Sequence, residues 1–84
     1  MSKIHVVTSI DLASKEIVEI RSYRSLDKAK LFFMQEFVDE LDYLQQEEID
    51  YDIMATSPNL FRIEWGDSNG IQIELNTCDL YETD

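Results

Sequence analysis

The sequence contains few of the residues from which catalytic and metal sites are usually built. It has one histidine, His5, one cysteine, Cys78, and two glycines, Gly66 and Gly70, in 84 residues. One cysteine cannot form an internal disulfide, and one histidine with one cysteine cannot form a zinc cluster. Both glycines fall in one predicted turn, so there is no glycine-rich phosphate loop, and there is no G-x-S-x-G elbow. The sequence therefore predicts a protein that is not an enzyme and has no catalytic residues, cofactor or metal ion.

Positive charge and long apolar runs are also scarce. The chain has 7 Lys and Arg against 18 Asp and Glu, a formal net charge of −11. Such a charge repels nucleic acid and anionic membranes and attracts basic protein surfaces. No apolar run approaches the ~20 residues of a membrane-spanning helix, and the opening MSKIHVVTSI lacks the cleavage site of a signal peptide. Together with the single cysteine, these features predict a cytoplasmic protein.

The chain predicts one small domain, residues 1–84, with strands on both sides of a helix. Apolar and polar residues alternate with period two, as in strands that bury one face. The resulting order β-β-α-β-β-β indicates an α+β fold, an antiparallel sheet with one long amphipathic helix packed on one face. The acidic segment 77–84 is expected to fray. The segments with the strand pattern are KIHVVTSI, EIVEIRSY, residues 51–55, LFRIEW and IQIEL.

The helix is the clearest element of the sequence. From Leu26 to about Gln46 the apolar spacing changes to a period of 3.6 residues, and Ser25 stands where an N-cap is expected. One side of this helix is expected to cover the sheet. The apolar stripe predicted for that side comprises Leu26, Phe33, Phe37, Leu41 and Leu44, flanked by Ala29 and Met34.

Negative charge is concentrated in the second half of the chain, and residues 36–52 contain eight carboxylates and no basic side chain. On the polar side of the helix, acids and aromatics are spaced as a continuous row. Side chains in such a row lie about 5–6 Å apart, near the spacing of phosphates along a nucleic-acid strand. The row predicts a surface that binds a basic protein. The predicted partner-binding residues are Phe32, Glu36, Asp39, Glu40, Asp42, Tyr43, Glu47, Asp50 and Asp52.

Simpler interpretations of the acidic residues stay open. The polar side of the helix is also consistent with a solvated face that keeps a small protein soluble, with Phe32 and Tyr43 packed on a neighbouring strand or loop. The turn Asp67-Ser68-Asn69-Gly70 matches a fragment of a calcium loop, but the other ligands of such a loop are absent. The concentration of acids after residue 35 favours binding, because solubility alone does not require clustering.

Two segments resemble small proteins of phages and mobile elements: Lys3 to Thr8, and Ser22 to Lys30 entering the helix. The size and acidity of the chain are similar to those of anti-CRISPR proteins and other phage inhibitors, several of which mimic DNA. The resemblance implies an inhibitor that blocks a nucleic-acid-handling protein by binding its basic surface, without direct contact to nucleic acid or membrane. The alternative is an immunity-type protein or a homo-oligomeric module, such as a homodimer joined through exposed strand edges.

Overall fold

The structure, a computed structural model, describes residues 2–80 and contains a five-stranded antiparallel sheet and one helix. The strands are arranged in the order β2-β1-β5-β4-β3 across the sheet. The predicted α+β fold and the order β-β-α-β-β-β along the chain are confirmed. The elements are β1 (Ser2–Asp11), β2 (Glu16–Tyr23), α1 (Leu26–Gln46), β3 (Asp52–Ser57), β4 (Leu60–Trp65) and β5 (Asn69–Leu80).

The last strand is longer than its apolar alternation predicted. The pattern IQIEL ends at Leu75, whereas β5 continues to Leu80. The additional residues pair with the first half of β1, so that Asn76 stands opposite Val6 and Thr77 opposite His5. Backbone pairing with a long neighbouring strand outweighs the low strand propensity of the polar residues. The prediction of a frayed segment at 77–84 is therefore wrong for residues 77–80, and residues 81–84 lie outside the described residues.

The core lies between α1 and the face of the sheet formed by β1, β5 and β4. Its centre is a stack of aromatic rings from the helix and from β4. The ring centroids of Phe33 and Phe37 lie 4.4 Å and 3.9 Å from that of Phe61. This stack fixes the position of the helix on the sheet. The buried residues of this core cluster are Val7, Ala29, Phe33, Phe61, Ile73 and Leu75.

The helix is rotated about its axis relative to the predicted apolar stripe. Phe33 and Leu44 are buried as predicted, but Met34 is 50% exposed, and Leu26, the first residue of the helix, is 39% exposed. The rotation follows from three phenylalanines, at positions 32, 33 and 37, that all pack against the core cluster. Because the helix has 3.6 residues per turn, these three rings lie on an arc around its surface. The centre of this arc lies to one side of the predicted apolar stripe. Residues between the rings on this arc face the sheet whether or not they are apolar.

Candidate functional site

Three of the predicted binding residues turn toward the sheet. Phe32 packs against the core cluster, and its ring centroid lies 5.9 Å from that of Tyr23 and 5.0 Å from the guanidinium carbon of Arg21. Glu36 and Glu40 are half-buried because they lie between the phenylalanines on the sheet-facing arc. The predicted row on the polar side of the helix is therefore interrupted at Phe32 and Glu36, and Glu40, which borders it, is half-buried as well. Phe32 packs on a neighbouring strand, as the alternative interpretation of the row allows.

The remaining predicted residues are brought to one end of the molecule. Tyr43 is 52% exposed, and the predicted acids at this end are exposed with it. No basic residue occurs between positions 31 and 61. The ion pairs within residues 2–80 join Lys3 to Asp79, Arg21 to Glu19 and Arg62 to Glu64, so none of them includes one of these predicted acids. We call the exposed carboxylates of the last half of α1 and the connection to β3 the acidic end: Asp39, Asp42, Glu47, Glu48, Asp50 and Asp52.

The helix ends in a motif that usually contains glycine. The N–H groups of Glu48 and Ile49 donate to the carbonyls of Gln45 and Leu44, at 3.2 Å and 2.9 Å, in the pattern of a Schellman motif. Glu48 occupies the left-handed position of this motif, with φ of 54°. A side chain in that region costs about 1–2 kcal/mol, which glycine avoids. The choice of glutamate at position 48 therefore opposes stability.

Charge at the acidic end also opposes stability. The last turn of α1 has no basic residue, and Glu47 and Glu48 place negative charge beside the partial negative charge of the helix C-terminus. Each unfavourable charge of this kind costs about 0.3–1 kcal/mol. Asp52 of β3 stands directly opposite Glu64 of β4. Like charges in that relation destabilise a sheet, and the ion pair of Glu64 with Arg62 offsets part of the repulsion. Negative charge thus accumulates where folding alone would favour neutral or basic residues.

An open depression of about 380 Å³ adjoins the acidic end. The Tyr51 hydroxyl accepts a hydrogen bond from Gln45 Nε2, at 3.2 Å, which joins this segment to the end of the helix. Carboxylates beside aromatic rings suit a guanidinium group, which forms bidentate hydrogen bonds and stacks on rings. No group of three or more His, Cys, Asp or Glu side chains within residues 2–80 is arranged to hold a metal ion. The depression is lined by Asp50, Tyr51, Asp52, Met54, Glu64, Trp65 and Gly66.

Sequence reasoning missed Tyr51, Glu64 and Trp65 as neighbours of the predicted acids. Glu64 and Trp65 come from β4 and reach the site through the pairing of β3 with β4. The alternation of apolar and polar residues in LFRIEW indicates a strand, but it does not show which strand pairs with it. The signal that could have found Glu64 is the β3–β4 hairpin around Ser57-Pro58-Asn59, whose register sets Asp52 opposite Glu64.

The histidine and the cysteine lie apart from this site. The His5 ring is buried, with Nδ1 2.8 Å from Thr77 Oγ1. Cys78 is exposed and pairs with Ile4, the neighbour of His5 in β1. Because adjacent residues of a strand point to opposite faces, His5 and Cys78 lie on opposite faces of the sheet and do not form a pair.

Half-burial affects the protonation of the two inward carboxylates. Burial raises the pKa of Glu40 and of Glu36. The negative charges of Glu19 and Asp39 raise the pKa of Glu36 further, while Arg21 acts in the opposite direction. Both groups are therefore harder to ionise in the folded chain than in the unfolded chain.

We expect Glu36 and Glu40 to make the protein more stable near pH 4 than at pH 7. A carboxyl whose pKa is raised by folding binds more protons in the folded state, so its contribution to the unfolding free energy falls as the pH rises. That contribution is fully present below the ordinary carboxyl pKa of about 4.3 and is lost as the pH rises through the raised pKa. Thermal melts of Glu40→Gln should match wild type near pH 4 and exceed it by a few degrees at pH 7.

Glu47→Gln is the matched control for this measurement, because Glu47 is exposed and its substitution removes the same charge. Glu47→Gln should reduce the difference in melting temperature between pH 4 and pH 7 by less than Glu40→Gln does. Equal effects of the two substitutions would show that general charge repulsion, and not the burial of Glu40, governs the pH dependence.

Comparison with protein-family models, curated proteins and solved structures found no match for this chain. Within residues 2–80, no helix combines the length and the apolar character that crossing a membrane requires.

Proposed function

We propose that this chain is a non-enzymatic binding protein that acts in the cytoplasm as an inhibitor. Its acidic end would occupy the basic groove of a nucleic-acid-handling protein in place of nucleic acid, as the resemblance to phage inhibitors implies. The observation that carries the proposal is that six exposed carboxylates, Asp39 to Asp52, cluster at one end of the molecule. Several of these carboxylates occupy positions at which a negative charge or a side chain lowers the stability of the fold.

Solubility explains this arrangement poorly. A soluble surface needs net charge, but it does not need a glutamate in the left-handed position at Glu48 or Asp52 placed opposite Glu64. Local choices that reduce stability are expected where function requires them. A basic partner would turn the repulsion among these carboxylates into attraction, so the energy lost in the free protein is recovered in the complex.

The geometry suits arginine and lysine side chains of a partner. Asp39 and Asp42 lie on a helix, so their positions are set before binding and little entropy is lost when the complex forms. The depression between Tyr51 and Trp65 would accept a guanidinium group, with Asp50 and Asp52 as its ion-pair partners. Binding of this kind should weaken as the salt concentration rises.

The test is affinity capture from a host lysate with three baits, followed by quantitative mass spectrometry. The baits are wild type, Asp39→Lys/Asp42→Lys, and the control Asp27→Lys/Asp79→Lys, which changes the net charge equally at exposed positions outside the acidic end. We expect a basic nucleic-acid-binding protein on the wild-type and control baits and at least a tenfold loss, about 1.4 kcal/mol, on the Asp39→Lys/Asp42→Lys bait. Added duplex DNA should displace it.

Circular dichroism must show that both variants fold. Equal loss on both variant baits would mean that net charge, and not the acidic end, governs binding, and would contradict the proposal. Capture of no protein at low salt would also contradict it. A captured basic toxin that DNA does not displace would instead support the immunity-type alternative.

A further inference from the structure

Strand β2 forms an edge of the sheet and exposes apolar side chains. Ile17, Val18 and Ile20 are 57%, 60% and 58% exposed. β2 is eight residues long, and one row of its backbone N–H and C=O groups has no partner strand within residues 2–80. Edge strands of monomeric proteins are usually short, or protected by inward charges or proline. β2 has no proline and carries one irregularity in its register, at Val18, but its segment from Glu19 to Tyr23 pairs regularly with β1, so the edge of this segment is suited to pairing with another strand.

We propose that two copies of the chain pair antiparallel through β2, around a twofold axis at Ile20. Ile20 then lies against Ile20 of the second copy. Residues symmetric about Ile20 face each other, so Glu19 stands opposite Arg21 of the second copy. The two charged residues of this regularly paired segment, Glu19 and Arg21, then each meet a charge of opposite sign. The two sheets join into one continuous sheet of ten strands.

The charges select this register among its neighbours. An axis at Glu19 would place the two Glu19 side chains face to face, and an axis at Arg21 would do the same for the two Arg21 side chains. Like charges directly opposite each other destabilise a strand pair. Within each chain Arg21 Nε already donates to Glu19 Oε1 at 2.6 Å, so the paired copies would assemble four alternating charges at the axis.

The opposite edge of the sheet is unsuited to the same pairing. β3 has six residues against eight in β2, and like β2 it has one irregularity in its register, between Ile53 and Ala55. It begins with Asp52, follows Asp50, and has no basic residue, so two β3 edges would repel each other. Pairing through β2 leaves the acidic end of each copy exposed at the far side of the sheet. The dimer is therefore independent of the proposed function.

Disulfide formation between single cysteines tests both the dimer and its register. In a Cys78→Ser background, Ile20→Cys places two cysteines opposite each other, with Cα atoms about 4.5–5.5 Å apart, within the range of a disulfide. Ser22→Cys is the matched control, because Ser22 is exposed on the same face as Ile20. In the proposed register the two Ser22 residues are separated by about 13 Å along the strands and cannot bond.

Under mild oxidation we expect Ile20→Cys to form a covalent dimer and Ser22→Cys to remain monomeric. Equal dimerisation of both variants, dimerisation of Ser22→Cys alone, or no dimer from either would overturn the proposal. Arg21→Glu should raise the dissociation constant measured by analytical ultracentrifugation about tenfold, and Glu19→Arg/Arg21→Glu should restore it. A wild-type chain that stays monomeric at millimolar concentration would also overturn the proposal.

Discussion

Replacing Phe61 by alanine is expected to lower the free energy of unfolding by about 3–5 kcal/mol, a large part of the stability of a domain this small. Phe61 is 4% exposed, and its ring lies against those of Phe33 and Phe37, at 4.4 Å and 3.9 Å between centroids. Alanine would remove the surface on which the helix packs and leave a cavity between α1 and β4. Urea denaturation followed by circular dichroism measures the loss.

Two control substitutions make this result interpretable. Phe61→Leu keeps most of the apolar volume and should lower the free energy of unfolding by less than about 2 kcal/mol. Its stability can therefore be measured even if the alanine variant is unfolded in water. Leu31→Ala removes an apolar side chain that is 70% exposed and should change stability by no more than about 0.5 kcal/mol. Similar effects of Phe61→Ala and Leu31→Ala would contradict the packing of α1 on β4.

Replacing Gly70 by alanine is expected to lower the free energy of unfolding by about 1–3 kcal/mol. Gly70 is buried, and a Cβ atom there would lie 2.6 Å from the Ile63 carbonyl oxygen and 2.7 Å from Leu12 Cδ1. The backbone cannot easily move away, because Gly70 pairs with Glu64 and its carbonyl accepts a hydrogen bond from Leu12 N–H at 3.0 Å. Thermal and urea denaturation measure the effect.

Gly66→Ala is the control, because it tests backbone conformation without crowding. Gly66 has φ of 60°, and the nearest atom to an added Cβ, Asn69 Nδ2, lies at an ordinary 3.5 Å. Only the left-handed backbone then opposes the substitution, at about 1 kcal/mol. If Gly66→Ala lowered the free energy of unfolding more than Gly70→Ala, the result would contradict the close contact between β4 and β5 at Gly70.

Part of the candidate site was predictable from local patterns. The acidic concentration after residue 35 follows from composition, and the exposure of Asp39 and Asp42 follows from helical spacing. The inward positions of Glu36 and Glu40 do not follow, because a hydropathy pattern sets the apolar side of a helix only to within about one residue position. The large rings at 32, 33 and 37 then determined its rotation against the sheet.

Local sequence patterns specify the kinds of element, their order along the chain and the concentration of negative charge. These properties depend on residues close together in the chain, which is why periodicity and composition report them. The pairing of β1 with β5, the extension of β5 to Leu80 and the position of β2 at an edge appear only in the folded chain. These outcomes depend on contacts between distant segments, whose energies no local pattern contains.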